Sequence, residues 1–274
     1  MRRIVQLVCG IIYCLHGMAQ PFQIKSGNAY ITTGAYSNHF TDAFSFLSNP
    51  SCLGNIQGVL TGIVAERKWM LKELDNYTMT VAGSLPKGGF GVSLQYSGDA
   101  DYNEQSMELA YGKDLGKTEI GIRFDYLTDN AAGYSGAGFG SAGIGMRFHV
   151  SENFITGWEI GLPVFGSAGE TNTERGPQFF RMGFGYEWGT NLFLAMQIEK
   201  SSGQPMNAVC SIEYRYDEQF FFSFGLNTDE GTPFFKTGWK KNRLCIQFYT
   251  AYEPVLGFSP GILMLWSGEK TKVK

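Results

Sequence analysis

Charge is what this chain has least of. Lys, Arg, Asp and Glu make up only 17% of the 274 residues and leave a net charge of -3, so the basic surface that a nucleic-acid partner requires is missing. Low charge combined with 15% aromatic residues also excludes a disordered chain. Histidine is limited to His16, His39 and His149, and no Gly-x-Ser-x-Gly elbow or locally activated Ser or Cys accompanies them, which leaves little with which to hold or move protons. Cysteine is sparse as well. Of five, two fall in the first residues, and Cys52, Cys210 and Cys245 form an odd, widely spaced set with no Cys-x-x-Cys: neither a disulfide framework nor a zinc site, but small apolar fillers. No motif requires a cofactor or a metal. A long apolar run is lacking too. Ile4 to Leu15 is too short to span a membrane; with Arg2 and Arg3 before it and Gly17-Met18-Ala19 after it, residues 1–19 read as an export signal cleaved after Ala19. No stretch carries a convincing 3.6-residue period, so helices are not the building material.

What is present is alternation. From Thr118 to Leu127, Ile120, Ile122, Phe124 and Tyr126 fall on one parity and Glu119, Gly121, Arg123 and Asp125 on the other. Successive side chains of a strand point to opposite faces, so this is a strand with one apolar and one polar face. Asn191 to Lys200 and Arg243 to Ala251 obey the same rule. About fourteen such segments follow one another, at 55–69, 75–85, 88–97, 102–113, 118–128, 139–150, 154–163, 176–188, 191–200, 206–216, 219–227, 232–239, 243–252 and 258–266. Every second connection is a tight polar turn: Pro86-Lys87, 114–117, 151–153, Gly189-Thr190, Asp217-Glu218 and 240–242. The others tend to be longer, notably Asp129 to Gly138 and Pro163 to Arg175. Short turns at one end, longer loops at the other and an even strand number predict an outer-membrane barrel with both chain ends on the short-turn, periplasmic side.

Two further features agree. The polar parity is rich in glycine (Gly89, Gly91, Gly143, Gly145, Gly157, Gly161, Gly183, Gly185), which an ordinary solvated sheet face disfavours and a curved wall with space inside accepts. The apolar parity carries Phe90, Trp158, Phe184, Tyr186, Trp188, Phe220, Phe222, Phe224 and Trp266, several near strand ends where aromatic girdles meet lipid interfaces. The expected class is all-β: a single transmembrane antiparallel β-barrel at 55–266, a short plug-like N-terminal segment at 20–54 and a polar tail at 267–274. Charge placed at Ile122, Leu194 or Ile246 should then cost more than charge at Gly121 or Gln247, given space.

Several motifs are decoys. Gly138 to Gly143 matches Gly-x-Gly-x-x-Gly but runs into a strand rather than a helix. Gly112 to Thr118 falls one residue short of a P-loop and lies in a hairpin. Asp99-Ala100-Asp101-Tyr102-Asn103 copies the start of a calcium loop, but Glu104 and Ala110 stand where its glycine and bidentate Glu belong. The candidate functional residues lie elsewhere. Glu119, Arg123, Asp125, Arg147, Glu159, Arg181, Glu187, Glu199, Glu213 and Arg215 share the polar parity of their strands and are expected to pair as a charge network in the lumen, with His149 in the same polar surroundings. Phe40, Phe44, Phe46, Leu47, Asn49 and Pro50 are the candidate plug. Their apolar groups would be costly to leave in water, and Pro50 holds Asn49 out of the helical region.

Gly34 to Leu53, with Asp42-Ala43-Phe44-Ser45-Phe46 leading into Ser48-Asn49-Pro50-Ser51-Cys52-Leu53, resembles the N-terminal signature of PorV/PorQ-like proteins of the FadL-like superfamily, typical of Bacteroidota outer membranes. Ala251 to Gly261 is similar to the last hairpin of that group. The resemblance implies a non-enzymatic accessory barrel linked to type IX secretion, with secretion-system or exported proteins as partners besides outer-membrane lipid. The alternative it implies is a FadL-like passive transporter of hydrophobic small molecules, its N-terminal segment closing the lumen as a hatch. A secreted soluble β enzyme such as a glycosidase would need a pair of carboxylates in a cleft, and no such pair stands out.

Overall fold

The computed structural model describes residues 32–133, 136–167, 178–217, 219–228 and 231–268. The export signal, the start of the plug segment and the tail beyond residue 268 lie outside the described residues. Fourteen strands close into one antiparallel barrel in which each pairs with its sequence neighbours and the first meets the last. They are β1 (Val59–Arg67), β2 (Asp75–Leu85), β3 (Gly88–Gly98), β4 (Tyr102–Asp114), β5 (Thr118–Ala131), β6 (Ala137–His149) and β7 (Phe154–Ser167). The second half is β8 (Phe179–Trp188), β9 (Leu192–Ser201), β10 (Met206–Arg215), β11 (Phe220–Asn227), β12 (Thr232–Lys241), β13 (Leu244–Glu253) and β14 (Gly257–Ser267). Closure runs from Leu60↔Ser267 to Glu66↔Gly261 and leaves no free strand edge, the condition for crossing hydrocarbon with every backbone polar group satisfied.

Alternation located the strands because the register keeps one parity outside all round. On β5, Ile120, Ile122, Phe124 and Tyr126 are exposed, whereas Glu119, Arg123 and Asp125 are buried. Among the described residues, outward-facing charges on the strands sit only at strand ends, at Arg67, Asp75, Lys113, Lys200 and Lys241. Trp188, Trp239, Trp266 and Phe220 ring the short-turn end of an otherwise aliphatic and aromatic exterior. Among the described residues no helix is long and apolar enough to cross a membrane; the strands make the crossing. The protein is an outer-membrane barrel, and in such barrels the short turns face the periplasm.

Two differences from the sequence reading have local causes. β1 opens at Val59 rather than Asn55, because Pro50–Asn55 is a 3-10 helix and Gly58 turns the chain in a left-handed conformation (φ 67°). The inward parity is also less polar than expected: Phe139, Phe179, Phe193, Phe221, Phe234 and Tyr249 are buried on it. Five of these face a glycine directly across the ladder, in the pairs Phe139↔Gly166, Gly161↔Phe179, Gly225↔Phe234, Gly238↔Phe221 and Gly261↔Tyr249, and in the last four the ring lies where a Cβ of the glycine would be. The space that glycine leaves is therefore taken by the neighbouring ring.

Arg introduced at Ile122 or Leu194 is expected to destabilise the barrel by about 2–4 kcal/mol, the scale for Arg on the lipid face at mid-depth. Gly121 is no permissive site, since a Cβ there would run into the backbone of Pro50 and Ser51. Urea titrations of refolding into micelles should therefore rank Gly121→Arg with the lipid-face variants and Gln247→Lys, on the inner face, as milder.

Candidate functional site within the barrel

Residues 32–58 precede β1 and pack against the inner wall. Local hydrogen bonds shape the segment first. Asp42 Oδ1 accepts from Phe44 N at 2.9 Å and from Ser45 Oγ at 3.0 Å, while Ser45 Oγ accepts from Asp42 N at 2.9 Å. This reciprocal lock starts the 3-10 turn Ser45–Leu47. Asn49 is extended (φ -157°, ψ 113°), accepts from Ser51 N at 3.1 Å, and so caps the helix that opens with Pro50. Its amide also donates to the carbonyls of Met146 and Trp158, both at 3.3 Å, which ties the cap to β6 and β7.

The apolar side chains fit wall glycines. Phe44 covers Gly62, Phe46 covers Gly91, and Tyr36 fills the slot left by Gly157, Gly183 and Gly185, where any Cβ would meet the tyrosine. Phe44, Phe46, Leu47, Cys52 and Leu53 form one core with Val64, Ala82, Ala110, Tyr249 and Leu263 of the wall. Phe40 stacks on Phe193 with ring centroids 5.0 Å apart, and the Arg215 guanidinium lies 3.7 Å from its ring centre. Each fully buried Phe or Leu contributes roughly 1.5–3 kcal/mol, so the segment is held by its side chains before any polar contact is counted.

The polar contacts come from four wall arginines that donate to the segment's carbonyls. Arg123 on β5 and Arg181 on β8 both reach Leu47 O, at 3.1 and 3.0 Å, and Arg181 also reaches Ser48 O at 2.8 Å. Arg147 donates to Ala35 O at 2.6 Å and Ser37 O at 3.3 Å; Arg215 donates to His39 O at 3.1 Å. Behind them stand the carboxylates. Arg123 pairs with Asp125 and Glu159, both at 3.2 Å, and with Glu108 at 3.6 Å. Arg181 pairs with Glu159 at 2.9 Å and Glu199 at 2.8 Å, while Arg147 pairs with Glu119. Glu187 accepts from Ser37 Oγ, from Asn38 N at 2.6 Å and from His39 N at 3.1 Å, and lies 2.5 Å from His39 Nδ1.

All ten charged residues singled out from parity thus point inward, but they form separate groups. Arg123, Asp125, Glu159, Arg181 and Glu199 make a central lattice; Glu119 and Arg147 join His149, whose Nε2 is 3.1 Å from Glu119. Glu187 stands apart with His39, and Glu213 pairs with Lys236 at 3.1 Å and lies 4.0 Å from Arg215. Parity reasoning passed over Glu108 and Lys236, although both alternate correctly in β4 and β12. It also passed over Tyr36, Asp42, Ser48 and Gln197, the last two in mutual side-chain contact. Burial holds the Tyr36 phenol and the Asp42 carboxyl protonated to higher pH than usual and pushes the Cys52 thiol up to about 12. The calcium-like loop is a turn, with Asp99 Oδ1 accepting from Asp101 N and Tyr102 N. The wall arginines meet main-chain carbonyls of the segment, and His39 and His149, the histidines among the described residues, each face a carboxylate.

No family model and no curated protein matches the sequence. Solved structures do match the fold. A FadL homologue of Pseudomonas aeruginosa superposes with a TM-score of 0.59 at 7% identity over 92% of this chain and 99% of the other. The P. putida toluene transporter TodX gives 0.56 at 9% identity over 82% and 92%, and the CymD monoaromatic hydrocarbon channel 0.55 at 10% over 92% and 95%. The barrel has the FadL-like fold. Such likeness carries architecture alone, so the roles of residues in this FadL-like barrel rest on its own contacts.

In this FadL-like barrel Arg181→Met strips Glu159 and Glu199 of a buried partner and should destabilise by about 3–5 kcal/mol, whereas adding Glu159→Met should recover part of that loss. Heat-modifiability on SDS gels and urea midpoints measure both. Cys52, deprotonated only near pH 12, should resist maleimide in the folded barrel at pH 8 and react once it is unfolded.

Proposed function

We propose that this FadL-like barrel is a non-enzymatic outer-membrane channel for a hydrophobic small molecule, with residues 32–58 as the hatch that closes its lumen. The observation that carries the reading is the seating of that segment inside a fourteen-strand wall, largely through main-chain carbonyls and aromatic plugs on glycine sockets. The fold is shared with barrels described as a toluene transporter and a monoaromatic hydrocarbon channel, which supports this ligand class. A wall that accepts the segment by backbone carbonyls can release it without a covalent step, as a gate requires.

One observation favours a second reading, an accessory barrel of PorV/PorQ type serving type IX secretion and binding secretion-system or exported proteins. A buried lattice of arginines, carboxylates and carbonyls lies across the interior, and Phe139, Phe179 and Phe234 are buried on the inner face towards the loop end. A barrel that only displays loops to a partner needs such a seal and no gate.

Uptake of toluene and of a long-chain fatty acid by cells expressing the full chain separates the two. The channel reading expects uptake above the empty vector. It also expects loss of that uptake when Ser48→Cys and Gln197→Cys, whose native side chains touch, are oxidised to a disulfide, and its return on reduction. Background uptake from both the intact chain and Arg181→Met, with exported proteins co-purifying, overturns it in favour of the accessory reading.

A further inference from the structure

The wall is not equally tall all round. β4, β5, β6 and β7 run 13, 14, 13 and 14 residues, whereas the other strands run 8 to 11, β1 with 9 and β13 with 10 among them. With about 3.3 Å per residue and a tilt near 40°, nine residues rise roughly 23 Å and fourteen roughly 35 Å, against an apolar band of about 25 Å. The tall side therefore projects beyond the hydrocarbon, while the short side falls slightly below its edge.

The outward residues at the loop end follow that difference. On β4 and β5 they are amides: Gln105 Nε2 donates to Asn103 Oδ1 at 3.2 Å, and Asn130 Nδ2 donates to the same oxygen at 3.3 Å, a water-facing ladder, while Phe165 of β7 lies outward against Phe124 and Tyr126. On the short side they are apolar. Tyr252 and Phe258 pack ring on ring at 4.8 Å, and above them the β13–β14 turn exposes Val255 (87%) and Leu256 (44%). The adjoining β1–β2 connection exposes Met70 (63%) and Leu71 (48%), and Trp69 N donates to Ser259 Oγ at 2.9 Å, fastening this connection to β14. Trp69 and Met70 both hold left-handed backbone (φ 52° and 61°), a conformation costly for bulky residues and kept here with an apolar side chain in the open. Lys68 Nζ stands 4.2 Å from the centre of the Trp69 ring, and Lys72 is exposed beyond it.

We propose that these two loops form a lipid-seated rim: Met70, Leu71, Val255 and Leu256 take acyl chains of the outer leaflet, while Lys68 and Lys72 meet headgroup phosphates. The patch is continuous with the lipid-facing band through Tyr252 and Phe258. Trp beside Lys over aliphatic side chains is the composition of a membrane interface. The short strands give the reason, since the loops complete a hydrophobic height that β1 alone does not reach.

The test uses the full chain in vesicles, in a Cys210→Ser/Cys245→Ser background, with Val255→Cys or Met70→Cys carrying an environment-sensitive fluorophore and Asn130→Cys as the tall-side reference. The expected result is blue-shifted emission at 255 and 70, quenched by lipids spin-labelled near the headgroup and shielded from iodide, with water-like emission at 130. The blue shift should also be larger in vesicles containing phosphatidylglycerol than in phosphatidylcholine alone, and Lys68→Gln/Lys72→Gln should abolish that difference. Emission at 255 and 70 as water-like as at 130 overturns the proposal. So does a blue shift that requires high protein density and yields 255–255 cross-links, which would make a second copy the occupant, or one that appears only when a hydrophobic solute is added. An equal shift in both kinds of vesicle overturns the preference of Lys68 and Lys72 for anionic headgroups.

Discussion

Two guanidinium groups, one from β5 and one from β8, converge on the carbonyl oxygen of Leu47, and much of the interior follows from that meeting. A buried arginine needs a countercharge and acceptors for its remaining N–H groups, or the cost of leaving water is not offset. Asp125, Glu159, Glu199 and the more distant Glu108 supply the charge. They outnumber Arg123 and Arg181, so the wall has no reason to hold these carboxylates together except through the guanidinium groups between them. The acceptors that complete the arginines lie on the N-terminal segment. Wall and segment are thus mutually dependent: without residues 47 and 48 the arginines lose their acceptors, and without the arginines the segment's carbonyls are stranded in a dry interior.

Apolar packing works in the same direction. Glycines thin the wall where Tyr36, Phe44 and Phe46 press against it, so that a segment with 3-10 turns lies closer to the strands than any side chain would allow. Elsewhere on the inner face glycine serves a different end and receives an aromatic ring from the next strand. One composition, glycine on the inner parity, therefore both admits the segment and fills the space the segment does not reach.

The outer surface obeys a simpler rule, hydrocarbon outside and water beyond. Even there the barrel is not symmetric: β4 to β7 are longer than the rest, β4 and β5 end in a ladder of amides, and the loops beside the seam between β14 and β1 are apolar. A barrel with one low apolar side does not present the same face to lipid all round, and any hydrophobic molecule moving between membrane and rim would meet the two sides differently.

Fold class, strand number, which face of each strand meets lipid and which end carries the short turns were all legible in the sequence. The reason is that a period of two over ten residues is a local signal, and a closed wall has to keep one parity outside throughout. That Phe44, Phe46 and Leu47 seek burial was legible for the same local reason. Which arginine holds which carbonyl was not, because Arg123 and Arg181 are separated by 58 positions (181 minus 123) and meet Leu47 only once the sheet has curled and closed. Nor could parity distinguish an inward phenylalanine over a glycine from a misplaced outward one, since that depends on the residue directly across the ladder, as in Gly161↔Phe179 and Gly225↔Phe234. Local periodicity determined the wall; the closure of the sheet, which brings distant charges and carbonyls within hydrogen-bonding distance, decided its interior.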